Sequence, residues 1–101
     1  DVEGYARALE EADAWIPRLL ARLGPGALAI FTADHGCDPP TPSTDHSREY
    51  VPVLAFGPGA RRGVDLGTRA SLADMGQTIA ENFGARLANG ASFLASIKRG
   101  Q

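Results

Sequence analysis

ALAIFTADHG, residues 27–36, sets a continuous apolar run against an abrupt polar end. The first seven residues show no polar alternation, the pattern of a strand covered on both faces, as central strands of a parallel sheet are. Gly24, Pro25 and Gly26 turn the chain into it. A second run of the same kind, VPVLAFG at residues 51–57, has Pro52 near its start, where a missing backbone donor is tolerated. Gly57, Pro58 and Gly59 then break the chain. Asp34 and His35 follow the first run at once. In open α/β sheets ligands sit just beyond the carboxyl ends of strands, so this pair stands where chemistry is expected.

Helical periodicity lies on both sides of the two strands. Tyr5, Leu9, Ala12, Ile16, Leu19 and Leu23 recur at steps of three and four, which predicts an amphipathic helix over 2–23. Pro17 inside it removes a donor and predicts a kink. Ser71 is placed to cap a second helix with an apolar face of Leu72, Met75, Ile79 and Phe83 and with Gly84 as terminator. Asp74, three residues after Ser71, gives a weak capping box. Asp65-Leu66-Gly67 reads as a turn, and LANGASFLASI ends in a short apolar piece suited to one more helical turn. The order predicts α/β architecture: part of a mostly parallel sheet flanked by helices. Two strands do not make a self-sufficient parallel sheet, so a partner chain or a further part of the same chain is expected to complete it.

The totals exclude several classes. A length of 101 residues fits one domain or part of one, and 44% hydrophobic with 22% charged residues is a globular balance. Net charge is −2 and no basic stripe interleaves with aromatics, which argues against nucleic acid. No apolar run approaches the roughly 20 residues of a membrane helix, and the start lacks the pattern of a secretory signal. A lone Cys37 makes no internal disulfide, which fits a reducing cytoplasm. The first residue is not methionine and falls in helical pattern, so a fragment of a longer protein is expected.

Residues 34–50 join the strands and hold both histidines, His35 and His46, each preceded by an aspartate. So long a connection is more often functional than not, and Pro39, Pro40 and Pro42 restrict its backbone. A carboxylate and neutral imidazoles are good ligands for zinc or manganese. Asp34 and His35 reach one ion only if the strand has already turned; otherwise they serve two ions about 3.5–4 Å apart, with His46 on the second. Against this stands a hydrogen-bonded structural histidine at a strand end. Asp38 reads as a turn residue, Asp45 as a group orienting His46 or the loop, and Cys37 as a bystander. Arg48 and Glu49 read as a solvated pair, and the glycines at 57 and 59 as strand terminators rather than a phosphate cradle.

TADHG after an apolar strand resembles the metal-binding signature of the alkaline-phosphatase superfamily. The longer string TADHGCDPPTPSTDHSREYVPVLAFGPG is similar to the C-terminal block of the bacterial phosphopentomutase family, with its TADHGNDPT and GTDHTREYVP. DVEGYARALEEAD upstream, and GVDLGTRASLADMGQTIAENFG with LANGASFL downstream, extend the resemblance over nearly all of the chain. Cys37, Pro40, Ser43 and Ser47 depart from the family pattern, and none of these departures removes a candidate ligand. By position, the resemblance implies Asp34 and His35 on one manganese and His46 on the other. It also implies phosphoryl transfer through a phosphorylated threonine, with ribose or deoxyribose 1- and 5-phosphates as substrates.

Thr32, Thr41, Thr44, Thr68 and Thr78 all lie in other motifs, so no nucleophile is matched in the chain. The resemblance therefore describes residues 1–101 as the C-terminal segment of a metal-binding core, without the nucleophile-bearing part and the cap domain. The missing part of the same enzyme is then a partner. Alone, this segment is expected to be inactive and to bind manganese weakly. The alternatives are a sister phosphatase or phosphoglycerate mutase, or a non-catalytic module retaining the fold; TDHSREYVP argues against the sister enzymes.

Overall fold

A computed structural model describes residues 1–36 and 50–99. The chain divides into two compact units, Asp1–Pro58 and Gly59–Gln101.

In the first unit, α1 spans Val2–Leu20. Asp1 caps it, its carboxylate accepting from the Gly4 N–H at 3.1 Å. Glu3 in the first turn and Arg18 in the last complement the helix dipole. The helix continues through Pro17 and ends three residues before the expected Leu23, where Leu23 N–H closes a turn onto the Leu20 carbonyl at 3.2 Å. None of its residues is buried.

The strands β1, Ala29–Phe31, and β2, Leu54–Phe56, are shorter than the apolar runs containing them. They pair antiparallel, with Ala29 opposite Phe56, Ile30 opposite Ala55 and Phe31 opposite Leu54. This corrects the parallel relation expected for the two runs. A parallel pair needs a crossover connection, usually helical, which an antiparallel pair does not. Phe31 and Phe56, diagonal neighbours in this register, meet edge to face at 4.9 Å. Gly57 has φ +124°, and a Cβ there would stand 2.7 Å from the Ala27 carbonyl oxygen. Its lack of a side chain lets the end of β2 close against the entry to β1.

The second unit contains α2, Ala73–Asn82, and α3, Leu94–Ile97. Ser71 Oγ accepts from the Ala73 N–H at 2.9 Å, but Leu72, one residue later than expected, occupies the N-cap position and makes no side-chain capping bond. Gly84, at φ +74°, ends α2 as expected, and Ala85 N–H donates to the Ala80 carbonyl at 2.8 Å in a Schellman closure. The face expected to be buried is not: Leu72, Ile79 and Phe83 are exposed, and Asp74 and Thr78 are the buried residues of α2. Hydrogen bonding decides this. Asp74 accepts from Arg69 Nε at 2.8 Å and Ala91 N–H at 2.9 Å. Thr78 hydroxyl donates to the Asp74 carbonyl at 2.8 Å and accepts from Phe93 N–H at 2.9 Å. That clamp holds the 91–94 segment on α2 and seats the core of Phe93, Leu94, Ile97 and Ala60. An isolated antiparallel bridge between Ala60 and Lys98 closes the unit.

Titration of Asp74 should couple this clamp to pH. The Ala91 N–H first, and Arg69 second, hold its carboxyl below the ordinary 3.8, against the opposing effect of burial. A depressed folded-state value contributes stability that is complete above the unfolded value and lost as pH falls through the folded one. Asp74→Asn should therefore accelerate amide exchange across residues 89–93 at neutral pH, with the difference from wild type shrinking below about pH 4. A difference that stays constant into acid would contradict this assignment.

Candidate metal centre

The end of β1 carries the candidate ligands into solvent. β1 stops at Phe31, and by Asp34 and His35 the backbone has bent. The bend meets the condition under which neighbouring residues can face one ion. The Asp34 side chain is 88% exposed and that of His35 41%, with His35 Nε2 at 3.5 Å from Asp34 Oδ1.

His35 Nδ1 stands 3.0 Å from the Gly36 carbonyl oxygen. A carbonyl only accepts, so Nδ1 carries the proton in this contact, and Nε2 is the nitrogen turned to the carboxylate. A ring anchored through one nitrogen by a backbone carbonyl is the usual posture of a metal-ligating histidine. In its neutral form Nε2 presents a lone pair beside the carboxylate's own, and either a proton or a metal cation between them makes the contact attractive. Ligand bonds of about 2.0–2.2 Å to each are compatible with a 3.5 Å separation. The donor chemistry of the pair thus fits a divalent cation.

His46, with Asp45, Cys37, Asp38, the three loop prolines, Arg48 and Glu49, falls outside the described residues. Among the described residues no three histidine, cysteine or acidic side chains converge. Two features were not legible in the sequence. Asp74, read as part of a capping box, instead receives Arg69 and the Ala91 amide. Thr32, at the end of β1, has a buried hydroxyl oxygen without a hydrogen-bond partner among the described residues. A hydroxyl in an otherwise apolar run was its only sequence signal.

The family profile of the metalloenzyme superfamily matches residues 1–87, and the chain belongs to that superfamily. Among its relatives, the phosphopentomutase of Anaeromyxobacter dehalogenans strain 2CP-C is 63% identical over 99 residues, 98% of this chain and 25% of the relative. The phosphopentomutases of Symbiobacterium thermophilum and Desulfitobacterium hafniense strain DCB-2 are 53% and 55% identical, over 98% and 96% of this chain. The chain spans about a quarter of the length of these relatives.

Proposed function

We propose that the chain is the C-terminal segment of the core of a phosphopentomutase. The activity is that of an isomerase exchanging phosphate between the 1- and 5-positions of ribose or deoxyribose. The observation carrying this reading is identity of 63% to a phosphopentomutase across nearly the whole chain. It includes the segment whose Asp34 and His35 donors lie 3.5 Å apart.

Asp34 and His35 would hold one manganese and His46 the second. When bound, such cations neutralise charge on the transferring phosphoryl group and lower the pKa of the attacking oxygen. Asp34 contributes the negative charge, and the Gly36 carbonyl fixes the His35 ring so that Nε2 is presented beside it. The threonine nucleophile is assigned to a segment other than these residues. In the complete protein β1 and β2 would form an antiparallel part of a larger, mostly parallel sheet, an arrangement that mixed sheets commonly show. The enzyme would work in the cytoplasm. Among the described residues no helix is long and apolar enough to cross a membrane.

The test is an assay of the full-length protein containing this chain, loaded with manganese and given ribose 1-phosphate. Conversion to ribose 5-phosphate without release of inorganic phosphate is the expected result. Net phosphate release would identify a sister phosphatase instead, and no reaction with either readout would leave the mutase reading without support.

A further inference from the structure

Among the described residues the apolar side of α1 is mostly uncovered, with Ile16 and Leu19 half-buried and the rest exposed. Val2, Tyr5, Leu9, Ile16, Leu19 and Leu20 fall within an arc of roughly 100° on the helix. Leu9 is 58% and Tyr5 43% exposed, and none of the six is buried. A helix this clearly two-faced gains its stability from burying its apolar stripe on another layer. The polar side carries Glu3, Glu10, Glu11 and Asp13 against Arg7 and Arg18. That balance is the wrong sign for an anionic lipid surface, which interfacial helices meet with a basic polar face.

We infer that this stripe is an intramolecular docking surface, covered by the part of the polypeptide that corresponds to the other three-quarters of the relatives' length. The inference rests on reading the chain as a quarter of a longer enzyme, and the coverage of 25% supplies the length of chain available to do the covering. The sheet points the same way: two strands of three residues each, none of them fully buried, leave a layer to be completed.

Cysteine labelling of the full-length protein, in a Cys37→Ser background, tests this without any readout of activity, so failure of the mutase reading leaves it intact. Leu9→Cys should react with a maleimide at least about tenfold more slowly than Arg7→Cys on the opposite side, at every protein concentration. Equal rates overturn the inference, as does protection of Leu9→Cys that fades on dilution, which would assign the face to a second copy. Hydroxyl-radical footprinting of the unsubstituted full-length protein guards against a misfolded variant. Tyr5 should become reactive only on unfolding in urea, and full reactivity in the native protein would overturn the inference.

Discussion

Asp34→Asn in the full-length, manganese-loaded protein should lower kcat/KM for ribose 1-phosphate by roughly a thousandfold, because bound cations supply several kcal/mol of transition-state charge stabilisation. The substitution removes one negative charge while keeping the side chain's size. At 88% exposed, Asp34 supports no packing that the change could disturb. Thermal stability without added metal should therefore match wild type within about 0.5 kcal/mol. Manganese should raise the melting temperature of wild type more than that of the variant, since a ligand stabilises in proportion to its affinity for the folded state. Unchanged turnover, or an equal manganese-induced shift in both proteins, would remove Asp34 from the metal centre.

Gly90→Ala should be the most damaging substitution in the second unit. Gly90 has φ +90°, and a Cβ there would overlap the Ala73 carbonyl group and crowd the Asp74 N–H. No side-chain rotation relieves a clash between two backbones. The 90–91 segment must retreat from α2, which breaks the Ala91 N–H bond to Asp74 and the Arg69 bond to the Ala91 carbonyl. Loss of at least about 3 kcal/mol is expected, a large part of the roughly 5–15 kcal/mol that holds a domain folded. Asparagine tolerates positive φ better than alanine, yet Gly90→Asn brings the same Cβ and should do no better. A urea midpoint for either variant close to wild type would show that the two backbones are not held in this contact.

The Asp74 clamp and the candidate ligand pair differ in how far the sequence announced them. Asp34 and His35 could be read as candidate ligands because an apolar run ending in D-H is a local pattern, although β1 stops at Phe31, before that run ends. Gly84 as terminator was equally local and stands as read. The shared superfamily was also carried by contiguous residues, TADHG above all.

What the sequence by itself determined, then, is which segments are helix and which strand, and that Asp34 and His35 stand just beyond β1. These depend on neighbours within a few positions. Only the tertiary structure decided that β1 and β2 run antiparallel, because an unalternating apolar run has no preferred partner direction. Tertiary structure alone also turned α2 so that Asp74 and Thr78 face inward while Ile79 and Phe83 face out. The reason is physical: Asp74 meets Ala91 seventeen positions on and Thr78 meets Phe93 fifteen positions on. Buried polar groups must find partners, and no periodicity along the chain records where those partners will come from.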